Sequence, residues 1–325
     1  MGEKAKVILR GVTDASLRAQ VEECMERCEW QTWISPQATV VIKPNLCTVV
    51  PEQMDKSNTD LRITTAVCEV LLSRTNRIYI GEADHLRRKS QESFDVTGHT
   101  EMAKRLGIHV MNFSDEPRRK VACDPVGEIE MPVPLLDADV FITLPALKTH
   151  ALTYFTGSLK NQWGCVPQHN RILLHKHLDP LLASLERLLH PKLSLMDGIV
   201  AMEGRGPVNG EARHLNVILA SRDSVALDAT AMRLVGLDPS RARHVILAAE
   251  QGLGKIKPDE IEVDGDWDKH RTQFKPGEMD WAIAGMLYMS NYPWFVKYIL
   301  ENDYIFFPIR SCVKALRKVG VVGGG

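Results

Sequence analysis

The chain has 325 residues, 44% hydrophobic and 25% charged, which is ordinary usage for a globular protein. Forty basic residues against 41 acidic ones leave a net charge of -1, so there is no global electrostatic case for nucleic-acid binding. No uncharged apolar run reaches the roughly 18 residues a spanning helix needs, and MGEKAKVILRGV lacks the apolar core of a signal peptide. A cytoplasmic protein is expected. The seven cysteines, at 24, 28, 47, 68, 123, 165 and 312, are odd in number and form no CxxC pair. That fits a reducing compartment and argues against an intrinsic iron–sulfur cluster. Cys24 and Cys28, one helical turn apart, read as small core residues.

In chain order, AKVILRGV (5–12) reads as a strand, and Asp14 caps a helix through Glu29 with Leu17, Val21, Cys24 and Met25 near 3.6 spacing. TVVIKPN (39–45) is a nearly continuous apolar strand of the kind buried on both faces in parallel sheets. A helix over 60–74, a strand RIYIGEAD (77–84), a helix over 93–106 stopped by Gly107, and a strand HVMNF (109–113) follow. Residues 120–134 read as a hairpin turned at Asp124-Pro125 and Gly127. DVFITLP (139–145) is a strand, and a helix over 172–189 closes before Pro191. Then come a strand KLSLMDG (192–198), a glycine-rich loop to Gly210, a strand NVILAS (216–221), helices over 224–235 and 240–251, and a last strand or turn at 261–267.

This alternation predicts an α/β fold with a mostly parallel sheet and flanking helices. The expected division is an N-terminal α/β domain (1–190), a smaller α/β unit (191–275) with a cleft between the two, and an aromatic-rich, helical C-terminal extension (276–325). From Trp281 the tail carries many Trp, Tyr and Phe residues, then Lys314, Arg317 and Lys318. It reads either as helices packing on the core or on a second subunit, or as a membrane-surface or partner-docking hairpin.

Four segments fall at the carboxyl ends of predicted strands, where open α/β sheets bind ligands. In the first, Lys43 leaves a buried strand and needs an anion or a carboxylate partner, and Asn45 beside it can orient a ligand or cap a turn. In the second, Glu82, Asp84 and His85 form either an acid/base or metal site or a solvated strand end. The third is the richest. Lys148 and His150 are followed by Thr156-Gly157-Ser158-Leu159-Lys160-Asn161, then by Arg171 and His175. Thr156 and Gly157, opening a short helix, would present free N–H groups to an anion. Lys148 and Lys160 would neutralise it, or one would act as a nucleophile of depressed pKa. His150 and His175 would be a proton-transfer pair or metal ligands. In the fourth, Asp197 would bind a metal or orient a lysine, and Gly204 and Gly206 would let a ligand approach the backbone. Asp228, inside a helix, needs a partner if buried.

Read together, VVIKPN (40–45), IGEAD (80–84), ADVFITLPALKTHALTYFTGSLKNQWGCVP (138–167), Arg171 with His175, LMDGIVAMEGRGPVNG (195–210) and ILASRDSVALDATAMRLVG (218–236) resemble the domain of unknown function 362 family. Many relatives carry a ferredoxin-like cysteine motif, which this chain lacks. A more distant likeness is to the lactate racemase family, whose histidine, hydroxyl/glycine turn, lysine and second histidine are similar to His150, Thr156-Gly157, Lys160 and His175. That resemblance implies a nickel-pincer nucleotide or another divalent metal as cofactor. Lys160 would be the tether, His175 a ligand and His150 an acid/base group, with His85 as its partner. The expectation is an enzyme of racemase, isomerase or oxidoreductase type acting on a small anionic substrate. The alternative is a non-catalytic anion- or metal-binding accessory protein that meets a redox partner, or a second copy, through residues 281–325.

Overall fold

Strands β1 (Ala5–Gly11), β2 (Val40–Pro44), β3 (Ile78–Glu82) and β4 (His109–Asn112) alternate with helices in the first part of the chain. β2 is buried at every position, as a strand flanked by parallel neighbours and covered on both faces must be. The hairpin forms as β5 (Arg118–Cys123) and β6 (Gly127–Pro132), a separate antiparallel pair. The remaining strands are β7 (Val140–Leu144), β8 (Ala146–His150), β9 (Tyr154–Thr156), β10 (Leu193–Glu203), β11 (Glu211–Ser221) and β12 (Ile261–Asp264). In this computed structural model, which describes residues 3–277, 279 and 281–318 (without the side chains of 283, 303, 314, 317 and 318), they complete one sheet. Its order is β12-β1-β11-β10-β7-β2-β3-β4, with β8 on β10 and β9 on β8.

From β10 through β7, β2 and β3 to β4 every pairing is parallel. The carboxyl ends of these strands therefore open on one edge. The fold is α/β with a mostly parallel sheet. Alternation along the strands sends side chains to cores on opposite faces. Val40 and Ile42 enter one apolar cluster and Val41 another, while Ile8 and its neighbours Val7 and Leu9 split in the same way.

Several elements differ from their sequence-based outlines. The sheet runs unbroken past residue 190: β10 pairs with β7, and β1 lies between β11 and β12. The Leu147–His150 segment, expected as a loop, is strand β8, because a chain crossing the interior must pair its backbone groups. The expected helix over 93–106 is two helices, Ser90–Val96 and His99–Leu106, broken at the left-handed Gly98. The stretch before the Leu178–Leu189 helix is a 3-10 turn, Arg171–His177. The tail forms helices at Trp281–Met289 and Asp303–Lys318. It is anchored by buried Val296 and Leu300 and by Arg87, which donates to Leu300 O and lies 4.4 Å from the centre of the Phe306 ring. The expected cations Lys314, Arg317 and Lys318 lie outside the described side chains.

Asp197, expected as a metal ligand or a partner for a lysine, is found holding two backbone N–H groups. It is 2% exposed, and its oxygens accept from Ile199 N at 2.8 Å and Asp60 N at 2.7 Å. It thereby pins the start of the Leu61–Leu71 helix to the register shift between Gly198 and Val200 in β10. Burial lifts its pKa to about 7 despite those two bonds. Each buried N–H left without an acceptor costs about 1–3 kcal/mol. Asp197→Ala should therefore lower stability in urea unfolding by about 2–6 kcal/mol, and an unchanged midpoint would show that the two N–H groups find other partners.

Candidate functional site

The site is built at the carboxyl edge of β2, β3 and β8. Lys43, second to last in β2, is 1% exposed, and burying an ammonium requires an anion or full hydrogen bonding. Glu82, the last residue of β3, provides it: Lys43 Nζ lies 2.7 Å from Glu82 Oε2 and 2.7 Å from Pro44 O. The chain thus supplies the carboxylate that Lys43 needs, and the outside anion expected there is not required. Lys148 in β8, also 1% exposed, donates to Ser57 O at 2.6 Å and Asn45 Oδ1 at 3.2 Å. Burial first, and Lys43 among its neighbours, lowers its pKa.

Lys160 sits on the one-turn helix Ser158–Asn161, held from two sides. Asn161 Nδ2 donates to Lys43 O at 2.9 Å and to Thr143 Oγ1 at 2.8 Å. Asp228, from the buried Ser224–Leu234 helix, accepts from Ser158 N at 2.6 Å and Leu159 N at 3.1 Å. A Cβ at Gly157 would come within 2.1 Å of Asp228 Oδ1, which explains the glycine. The expectation that Thr156-Gly157 offers its helix N–H groups to a ligand therefore fails, because Asp228 already occupies them. Burial raises the Asp228 carboxyl to about 8 against the pull of those bonds. Lys160 itself has no hydrogen bond or ion pair among the described residues. Burial, joined by Arg171, Lys148 and Lys43 against the opposing effect of Cys47, lowers its pKa to about 7.

Burial lowers the pKa of His85, His150 and His175. His150 Nδ1 accepts from Leu152 N at 3.0 Å and Thr153 N at 3.3 Å, so the ring proton sits on Nε2. Burial, then Lys160 and Lys148, holds its pKa well below the ordinary value. The neutral ring consequently presents Nε2–H as a hydrogen-bond donor. Burial, then Arg88, also holds His85 well below the ordinary value, with Nε2 3.2 Å from Leu46 O. His175 stacks on Trp163 at 5.6 Å between ring centres, has no partner for its buried Nδ1, and is lowered by burial and Lys160 to about 3.

These groups line a cavity of about 240 Å³. Lys43, Asn45, His85, Lys148, His150, Thr156, Lys160, Asn161 and His175 all reach it, and Glu82 is the lone carboxylate of its wall. Thr156 Oγ1, buried, has no hydrogen-bond partner. Among the described residues the Arg171 guanidinium makes one hydrogen bond, to Val166 O at 2.6 Å, and no ion pair. Gly157, Asp197, Gly204 and Gly206 do not line the cavity. Gly204 packs through backbone bonds to Lys275 O and Thr149 Oγ1. A Cβ at Gly206 would meet Thr149 O at 1.8 Å, so this glycine serves contact with β8 and not a ligand. Sequence reasoning missed Cys47 and Trp163 as wall residues, and Glu82 as the partner of Lys43. For Cys47 a signal existed, since it follows Lys43-Pro44-Asn45-Leu46 at the end of a buried strand. Among the described residues no three His, Cys, Asp or Glu side chains are grouped to hold a metal ion.

A parallel α/β sheet whose carboxyl edge closes over a cation-lined cavity defines the class of this molecule. The chain belongs to the family described as domain of unknown function (DUF362), whose family model matches residues 40–233. It is similar to a thylakoid-associated protein of Synechocystis sp., 28% identical over 238 residues that make up 71% of this chain and 72% of that protein. Two solved structures are also similar. One is a Thermotoga maritima protein at 12% identity and a TM-score of 0.43, covering 74% of this chain and 60% of that one. The other is the lactate racemase apoprotein of Thermoanaerobacterium thermosaccharolyticum at 11% identity and 0.43, covering 68% and 55%.

The depressed Lys160 pKa fixes how stability depends on pH. Unfolded, the amine keeps its proton up to about 10.5, and folded only up to about 7. Between these values the unfolded chain binds more protons, so the contribution of this group to stability rises with pH across that window. Below it the burial penalty is fully present. Lys160→Met should raise the melting temperature at pH 6 and lose most of that gain by pH 10, and a gain independent of pH would overturn the assignment.

Proposed function

We propose that the chain is an enzyme acting at the carbon next to the carboxylate of a small anionic substrate. The observation that carries this reading is Lys160: an unpartnered amine with a pKa near 7, inside a cavity of about 240 Å³ whose wall has several cations and one carboxylate. Arg171 and the Nε2–H of His150 would bind the carboxylate. Arg171 offers guanidinium donors with no competing ion pair, and His150 offers a fixed donor that does not titrate at neutral pH. Lys160, half deprotonated near neutrality, would take the proton from the adjacent carbon as a neutral amine, become an ammonium, and return the proton to that carbon. Lys43 and Lys148, already bonded within the chain, contribute field and not reaction. All seven cysteines are free, which supports placing the protein in the reducing cytoplasm.

A second reading follows from the likeness to the racemase family and from two unpartnered atoms, Lys160 Nζ and the buried His175 Nδ1. These residues fit a nickel-pincer nucleotide: Lys160 would hold it covalently and His175 would hold its metal. When bound, that group would supply hydride acceptance and return. His150 and Arg171 would still bind and orient the substrate carboxylate.

The two readings part in one set of measurements. With the first, incubating the protein with small 2-hydroxy and 2-oxo carboxylates in D2O exchanges the hydrogen beside the carboxylate, at a rate that rises with pH through about 7 as Lys160 loses its proton. Lys160→Met should slow that exchange about 10²–10⁴-fold, the usual contribution of a positioned base. With the second, protein purified from its own host carries an added mass on Lys160 and nickel by elemental analysis. Thermal stabilisation by such carboxylates with neither exchange nor adduct would overturn both and assign the cavity to an anion-binding accessory role.

A further inference from the structure

The exposed apolar surface of this protein is concentrated in one segment. Among the described residues, the large hydrophobic side chains left exposed are Val50, Val96 and a group confined to residues 279–309. That group includes Trp281 at 61%, Tyr288 at 64%, Trp294 at 52%, Tyr298 at 58% and Tyr304 at 93%. Residues 281–300 contain a single charged side chain, Lys297. The Trp281–Met289 helix is uncharged all round, and such a helix is normally buried. Here it is exposed, while Ser290, Val296 and Leu300 are buried and Arg87 and His169 from the rest of the chain meet Leu300, Phe306 and Glu301.

The chemistry of the rings and the charge around them identify the occupant. Trp and Tyr, with an apolar body and a polar tip, are the side chains suited to the headgroup level of a bilayer. From residue 281 onward the sequence carries Lys297, Arg310, Lys314, Arg317 and Lys318 against Glu301 and Asp303, a local excess of cations in a chain of net charge -1. Lys297 and Arg310 are both exposed. Positive charge beside an aromatic, uncharged face complements an anionic lipid surface. The segment cannot cross the bilayer, since no described helix is long and apolar enough to do so, and Asn291-Tyr292-Pro293 interrupts the apolar run. We propose that residues 281–310 are a membrane-surface docking platform that lies in the headgroup layer of an anionic bilayer.

The test is co-sedimentation of the full chain with vesicles of phosphatidylcholine alone and of phosphatidylcholine with about 30% phosphatidylglycerol, alongside light scattering of the protein in solution. The proposal expects binding to the phosphatidylglycerol vesicles, weakened by salt. Replacing Lys297 and Arg310 by Gln should weaken it about thirtyfold, at roughly fivefold per lost cation near the surface. The surface variant W281S/W294S/Y298S should lose binding while keeping the melting temperature of the parent chain. No vesicle binding, equal binding to both compositions, or a solution dimer dissociated by that triple variant would overturn it, the last by assigning the patch to a second copy of the chain.

Discussion

A buried ammonium cannot stand alone, and the pairing of Lys43 with Glu82 is the constraint around which the carboxyl edge of the sheet is organised. The pair ties the last turns of β2 and β3 together at 2.7 Å in a place with almost no access to water. In such surroundings removing either partner leaves an uncompensated charge, a loss of about 3–5 kcal/mol. The same lysine also fixes the neighbouring segment, because its carbonyl accepts from Asn161 and so sets where the Lys160 turn lies. The strand end, its carboxylate partner and the loop above them form one unit.

Within that unit the lysines differ by what they touch. Lys43 has a carboxylate and Lys148 a carbonyl and an amide oxygen, whereas Lys160 has neither. Three identical side chains thus become two structural cations and one amine whose proton is loosely held. The histidines follow the same logic: a cationic, water-poor wall keeps His85, His150 and His175 neutral, and two backbone N–H groups decide which nitrogen of His150 carries the proton. The cavity consequently offers donors with fixed protonation next to one group that titrates near neutrality.

The tail and the cavity are neighbours in space. His169, on the cavity wall, lies 3.4 Å from Glu301 of the tail, and Arg87, beside the wall residue Leu86, carries the Phe306 ring. The aromatic segment therefore meets the rim of the site through the His169–Glu301 contact and the Arg87 cation–π contact.

By itself the sequence determined the alternation of elements, the buried parallel character of TVVIKPN and DVFITLP, the hairpin at 120–134, and the family. Each of these is written in short-range periodicity, turn chemistry or a contiguous motif. It also singled out Lys43, Lys148, His150, Lys160 and His175, which the fold brings to one cavity. Tertiary structure alone decided which partners each of them meets. Asp228 reaches the Ser158–Leu159 turn from about 70 residues away and takes the N–H groups that a local reading leaves free for a ligand. Asp197 looks like a ligand at the end of a strand until Asp60 and Ile199 claim its oxygens. Gly206 reads as a ligand-binding glycine until Thr149 O is found against it. The reason is common to all three: a hydrogen bond or a close contact depends on distance in space, and residues far apart in sequence carry no local sign of it.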